Sequence, residues 1–205
     1  DDKFSIGLAV TLPVLNRMIG KPPASMRCLV LTPTRELAVQ VADSFRDYAR
    51  FLPYQCGTVF GGVDMWHQVA MLKRGVDILV ATPGRLLDHM HRGNIDFGTI
   101  DTAVLDEADR MLDMGFIDDV KQIMSCLPKD RQTMLFSATL DEQVLRFSKD
   151  ILREPIMVKV SKSPGSTAAG VRQVMHHVTV AGKKDLLRHL IDRHRMASAI
   201  VFVRT

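Results

Sequence analysis

Long apolar runs, cysteines and a strong excess of one charge are what this sequence lacks. No run approaches the ~18–20 apolar residues that a membrane-spanning helix needs, so no membrane partner is expected. Asp1-Asp2-Lys3 is not read as the start of a signal peptide. Only three cysteines occur, Cys28, Cys56 and Cys126, far apart and without metal-ligand spacing. An odd count so dispersed argues against a disulfide framework and reads as buried thiols in a reducing cytoplasm. The seven histidines (His67, His89, His91, His176, His177, His189 and His194) show no metal spacing beside a cysteine, which leaves them surface or helix-face roles. The net charge is only +4. That fits a polyanionic partner without pointing to one.

What is present is an ordinary globular composition, 46% apolar and 24% charged over 205 residues. The length allows one sizeable domain and a fragment of another. Short β-branched runs at 27–31, 55–60, 77–81, 100–105, 133–137 and 156–160 read as strands. Between them, helical spacing predicts helices at 8–19, 34–51, 65–74, 83–92, 118–126 and 142–151. Strands alternating with helices are βαβ units around a parallel sheet. The strands are nearly continuous apolar runs, as expected when both sheet faces are covered. Residues 161–170, rich in Ser, Gly and Ala, break the pattern and read as a flexible linker. A strand at 174–180, a helix at 183–194 and a strand at 199–203 then open a second α/β unit. Trp66 and the methionines are taken as packing residues.

Five short segments stand at predicted strand ends. Asp106-Glu107-Ala108-Asp109 follows the apolar run 100–105. Ligands of open α/β sheets bind at that edge, and carboxylates there suit Mg²⁺, a hard cation that prefers oxygen. Thr32-Pro33-Thr34-Arg35 and Thr82-Pro83-Gly84-Arg85 are near-copies, each between a strand and a helix. The Thr of each is read as an N-cap and the Pro as the first helical residue. An Arg in the first turn is unfavourable for the helix dipole, but beside free N–H groups it makes an anion site. Two such sites on one sheet edge suit consecutive phosphates of a nucleic acid. Gly61-Gly62 follows a third strand and leaves the backbone open to close approach. Ser137-Ala138-Thr139 ends a fourth, and Thr139 with Glu142 has the spacing of a capping box.

In this order, the segments Pro33-Thr34-Arg35-Glu36-Leu37-Ala38, Gly61-Gly62, Thr82-Pro83-Gly84-Arg85, Asp106-Glu107-Ala108-Asp109 and Ser137-Ala138-Thr139 resemble the DEAD-box family of ATP-dependent RNA helicases. Ile200-Val201-Phe202-Val203 is similar to the first motif of that family's second RecA-like domain. The resemblance implies an α/β fold of the P-loop NTPase type. A RecA-like parallel sheet flanked by helices would span 1–160, with a linker at 161–172 and the truncated start of a second RecA-like domain at 173–205. The implied cofactors are ATP and Mg²⁺, the partner RNA held by sequence-nonspecific backbone contacts, and the location cytoplasmic. By the same resemblance, Asp106 would hold Mg²⁺ through water. Glu107 would orient or activate the attacking water, and Asp109 would join a network with Ser137 and Thr139 that couples nucleotide state to domain closure. Pro33, Thr34, Arg35, Gly61, Gly62, Thr82, Pro83, Gly84 and Arg85 would grip RNA phosphates and sugars. Closure of two such domains would bend one strand and pry a short duplex apart.

The pattern departs from the family at the N-terminus. A Gly-rich phosphate loop ending Gly-Lys-Thr is expected there, yet Ser5-Ile6-Gly7 occupies the place, with Lys3 too early to serve. The upstream adenine motif and the second domain's later motifs, arginine finger included, are absent from the sequence. The expectation is a helicase fragment that hydrolyses ATP negligibly alone. The alternative is a non-catalytic RNA- or partner-binding relative that has lost its phosphate loop.

Overall fold

The computed structural model describes residues 5–23, 26–159 and 174–203, with side chains from residue 9 onward. The chain forms two compact units, Asp1–Lys159 and Val160–Thr205. The first contains α1 (Ser5–Met18), β1 (Cys28–Leu31), α2 (Arg35–Tyr48), β2 (Cys56–Val59), α3 (Met65–Arg74), β3 (Ile78–Ala81) and α4 (Pro83–His91). It continues through β4 (Thr102–Leu105), α5 (Ala108–Asp113), α6 (Ile117–Ser125), β5 (Gln132–Leu135) and α7 (Glu142–Ile151). The second unit contains α8 (Lys183–Arg193).

The five strands form one parallel sheet in the order β2-β3-β1-β4-β5. Successive strand residues point to opposite faces, and here both faces are covered. Leu29, Leu31, Leu79, Leu105 and Ala103 pack on one side with Leu86 of α4, Met111 of α5, Ile123 of α6 and Phe147 of α7. Cys28, Val30, Ile78, Val80 and Val104 pack on the other with Val14 and Met18 of α1 and Ala38, Val41 and Phe45 of α2. β1, β3 and β4 are buried throughout, which is why their sequences are unbroken apolar runs.

The register aligns Val59, Ala81, Leu31, Leu105 and Leu135 across the sheet. The next residue of each strand therefore falls on one line at the C-terminal edge, from Phe60 through Thr82, Thr32 and Asp106 to Phe136. At about 4.8 Å per strand the line is roughly 19 Å long. The chain runs β1, β2, β3 to one side and then crosses to β4 and β5 on the other. The switch point lies between β1 and β4, where open α/β sheets place their ligands.

Three expected strands are not strands. Residues 156–159 have no ladder, and residue 160 lies outside the described residues. A groove of about 570 Å³ lined by β5 and by Pro155, Ile156 and Val158 separates that segment from the sheet edge. Residues 174–180 and 199–203 also lack strand pairing, and their apolar side chains, such as Met175 and Phe202, are exposed. A strand needs a partner for its ladder and cover for its face, and the described residues provide neither. The expected linker at 161–172 lies outside the described residues. No described helix is long and apolar enough to cross a membrane. Of the cysteines, Cys28 is buried as expected, Cys56 is half-buried and Cys126 is exposed. Burial pushes the Cys56 thiol up to about 12.

Candidate functional site

Asp106 takes its position from the ladder. Its N–H donates to the Leu31 carbonyl at 2.9 Å, and the Phe136 N–H donates to the Leu105 carbonyl at 2.8 Å. The side chain is 1% exposed. Its Oδ1 accepts the Glu107 N–H at 3.0 Å, whereas Oδ2 has no protein partner. Burial pushes its carboxyl up to about 6, with the Glu107 charge adding to the rise and the Glu107 N–H opposing it. The contrast is Asp101 at the other end of β4, met by Lys21 at 2.5 Å and by Arg17 and Arg27 at 3.9 Å. A buried carboxylate oxygen with no protein donor suits a hydrated cation. Mg²⁺ is commonly held by one or two carboxylates together with waters and phosphates.

Glu107 adopts φ 51° and ψ 53°, a left-handed conformation that costs a non-glycine residue roughly 1 kcal/mol or more. The bend ends β4 and starts α5, a six-residue helix with no counterpart in the sequence expectations. Helical spacing cannot show in so short a segment. The Glu107 carboxylate is half-exposed and accepts from Arg110 Nη1 at 3.3 Å.

Asp109, in the first turn of α5, is clasped to the loop after β5. Its Oδ2 accepts both the Thr139 N–H and the Thr139 hydroxyl at 2.9 Å, and its Oδ1 accepts the Arg110 N–H at 3.0 Å. Burial alone would raise this carboxyl. The hydrogen bonds from Thr139, Arg110 and Ser137 outweigh it and hold the group below its ordinary value. The Ser137 hydroxyl donates to the Thr139 carbonyl at 2.6 Å. Asp109, Ser137 and Thr139 are thus brought together. The capping-box expectation for Thr139 is corrected. Asp141 is the N-cap of α7, accepting the Val144 N–H at 2.9 Å, which leaves the Thr139 hydroxyl for Asp109.

The two Thr-Pro-x-Arg copies differ in detail. Thr82 is the N-cap of α4 and Pro83 its first residue, although the Thr82 side chain makes no capping bond. In the other copy the cap is Thr34, accepting the Leu37 N–H at 3.3 Å, so Thr32 and Pro33 precede the helix. Pro disfavours the helical conformation in the residue before it, and the extra threonine allows the helix to start two residues later. Both arginines nevertheless converge on the β2–α3 loop. Arg35 lies over the Phe60 ring at 5.3 Å. Its Nη1 sits 3.6 Å from where a Cβ on Gly62 would be. Gly62 has φ +79°, so a side chain there would meet both backbone strain and the guanidinium. Arg85 Nη1 donates to the Val63 carbonyl at 2.9 Å.

Below this loop lies a polar network that the sequence pattern did not show. Gln68 Nε2 donates to the Phe60 carbonyl at 2.9 Å, His89 Nε2 meets Gln68 Oε1 at 3.1 Å, and Asn94 Nδ2 meets His89 Nδ1 at 3.3 Å. His89 is fully buried on one face of α4, the helix-face rather than the surface form of its expected role, and burial lowers its pKa. Trp66, expected to pack, is 68% exposed.

The chain that carries these acids and arginines is similar over most of its length to known proteins. Residues 7–147 match the DEAD/DEAH box helicase family. The chain belongs to that family. Among its relatives, RNA helicase CrhR of Synechocystis is 40% identical over 96% of this chain and 40% of its own length. The DEAD-box ATP-dependent RNA helicase CshA of Geobacillus kaustophilus is 38% identical over 96% of this chain and 42% of its own. The chain therefore spans about two fifths of the length of these helicases. The yeast DEAD-box splicing factor Prp28 superposes with TM-score 0.69 at 30% identity, covering 73% of this chain and 37% of Prp28. A hypothetical ATP-dependent RNA helicase from Sulfolobus tokodaii superposes with TM-score 0.65 at 40% identity, covering 73% of this chain and 43% of that one. These neighbours establish the parallel sheet of Asp1–Lys159 as a DEAD-box RecA-like fold.

Proposed function

We propose that this chain supplies the nucleotide-facing acids and part of the RNA grip of an ATP-dependent RNA helicase. The observation that carries the reading is the single edge. It holds a buried Asp106 oxygen without a protein partner and, strand by strand along the same line, Arg35 and Arg85 anchored around Gly61-Gly62-Val63. Asp106 is the residue that would hold Mg²⁺. When bound, the ion supplies charge neutralisation for the phosphates of ATP. Glu107, exposed enough to reach solvent and fixed by its left-handed backbone, would orient the attacking water, the positioning role that phosphoryl transfer requires. Asp109, Ser137 and Thr139 would carry the change from the β4–α5 loop to the β5–α7 loop. Residues 173–205, after a linker at 161–172, would open the second RecA-like domain, whose closure would bend the bound strand. A cytoplasmic site of action accords with three unpaired thiols.

Arg35, Arg85 and the loop they hold would contact phosphate and sugar. Such contacts position without reading bases, and 2′-OH contacts would separate RNA from DNA. Arg35→Ala and Arg85→Ala are each expected to weaken single-stranded RNA binding similarly for all base compositions. Each should also reduce the slope of log affinity against log salt by about 0.7–1. Titrations of labelled RNA at several salt concentrations test this. An unchanged slope in both variants would remove the arginines from the interface.

Ser5-Ile6-Gly7 stands where the family's phosphate loop ends, and Ile6 cannot neutralise a phosphate. These 205 residues are therefore expected to show negligible ATP hydrolysis with saturating RNA and Mg²⁺. Robust RNA-stimulated turnover would overturn that expectation. Labelled ATP separates the enzyme from the non-catalytic relative. Binding supports the former, and no binding at millimolar nucleotide supports the latter or a fragment with altered first residues.

A further inference from the structure

Trp66 is the chain's only tryptophan, and the fold leaves it 68% exposed. An indole in water forgoes the burial that makes aromatic residues core and interface formers, so its placement does not serve packing. Its backbone is nonetheless fixed. Asp64 caps α3 by accepting the Trp66 N–H at 2.8 Å. Two residues on, Gln68 is locked between the Phe60 carbonyl and His89. Two helical residues turn about 200°, so a buried Gln68 sets Trp66 on the opposite, outward side of the first turn. The His67 ring meets the indole edge-on, with centroids 5.2 Å apart and planes at 76°.

This rigid, open aromatic begins four residues after Gly62 and three after Val63, whose carbonyl holds Arg85. It lies in the first turn of α3, directly after the loop of edge strand β2 that both arginines contact. We propose that Trp66 is a stacking platform for a nucleobase of single-stranded RNA, seated beside the phosphate grip of Arg35, Gly62 and Arg85. The proposal rests on the RNA reading of that grip and adds a base contact to it. Cations that track a backbone, with an aromatic face alongside, are the recurring design for sequence-tolerant single-strand binding. A protein partner fits less well. Val63, 38% exposed, is the neighbouring exposed large apolar side chain, and two such residues fall far short of the ~800 Å² per side of a stable interface.

The chain reports on itself, because its tryptophan fluorescence comes from Trp66 alone. The 205-residue protein is titrated with labelled oligouridine and with an abasic strand of the same length and phosphate count. Anisotropy and tryptophan emission are read together. Oligouridine should change the emission with the same midpoint as anisotropy, while the abasic strand binds about 5- to 100-fold more weakly and leaves the emission unchanged. Trp66→Ala should lose the same factor for oligouridine and none for the abasic strand, with Trp66→Phe restoring most of it. Its melting temperature should stay unchanged, since the side chain is largely in water.

Anisotropy without an emission change, together with wild-type affinity in Trp66→Ala, overturns the stacking role and leaves the RNA grip standing. Wild-type affinity in Arg35→Ala and Arg85→Ala overturns the grip instead, and Trp66 is then judged by its own emission and abasic comparisons. If neither strand binds, both are overturned.

Discussion

Asp106→Asn is expected to stabilise the isolated chain at neutral pH while removing the carboxylate proposed to hold Mg²⁺. The folded carboxyl titrates at about 6 against an ordinary 3.8. The folded state therefore holds its proton over a window in which the unfolded chain has released it. Stability linked to this group is present below 3.8 and lost as pH rises through about 6. At pH 7 the ionised, buried side chain costs about 3 kcal/mol. An amide removes the charge but still leaves one end without a partner, so the net gain should be about 1–2 kcal/mol. For a unit of this size that is roughly 3–6 °C in melting temperature. The gain should shrink as pH is lowered through 6 and vanish near 4, where the native acid is already protonated. Thermal melts of both proteins across that range are the measurement, and a lower melting temperature for Asp106→Asn at pH 7 would sink the argument. On the proposed role, the same substitution should abolish any Mg²⁺-dependent nucleotide binding. That would make Asp106 a place where the fold gives up stability for function.

Much of this was legible in the sequence, for identifiable reasons. The three central strands, β1, β3 and β4, are buried on both faces, so their apolar runs announce them. The acids of Asp106-Glu107-Ala108-Asp109 could be placed at a strand end because Ala103-Val104-Leu105 leads directly into them. What stayed hidden depends on pairing or on single dihedral angles. The run at 156–160 is as β-branched as the true strands, but strand formation needs a neighbour within ladder distance, and composition does not record neighbours. Glu107 reads as an ordinary acid, because a left-handed bend at a non-glycine residue leaves no compositional trace. Thr139 and Asp141 both could cap α7, and only the reach of Asp109 decides between them. His89 is polar by type yet buried, because Gln68 and Asn94 meet both ring nitrogens. The convergence of Arg35 and Arg85 on Gly61-Gly62-Val63 joins three strands far apart in sequence. The near-repeat of Thr-Pro-x-Arg hinted at it, although the two copies start their helices at different positions.

The clasp between Asp109 and Thr139 should prove both strong and cooperative. Its carboxylate takes three hydrogen bonds, from the Thr139 N–H, the Thr139 hydroxyl and the Arg110 N–H, at 2.9–3.0 Å. Hydrogen bonds to charged groups contribute about 1.5–3 kcal/mol each when well buried. Partial exposure discounts that here, so Asp109→Ala should cost about 2–4 kcal/mol in total. Thr139→Val keeps the β-branched shape and the backbone donor while deleting the hydroxyl, and should cost about 1 kcal/mol. The double variant should cost less than the sum, with a coupling of about 1 kcal/mol, because the hydroxyl's partner is already gone. The pH signature is opposite to that of Asp106. The Asp109 carboxyl is held below 3.8 in the fold, so its stabilisation is present above that value and lost as pH falls through the folded one. Wild type and Asp109→Ala should therefore converge in stability at strongly acid pH and diverge toward neutrality. Denaturant unfolding of the four proteins gives the cycle, and exchange of the Thr139 amide gives a local readout. Strict additivity, with that amide equally protected in Asp109→Ala, would mean that the two loops are not mechanically joined. Asp109 could then not relay a change at Asp106 and Glu107 to the segment following β5.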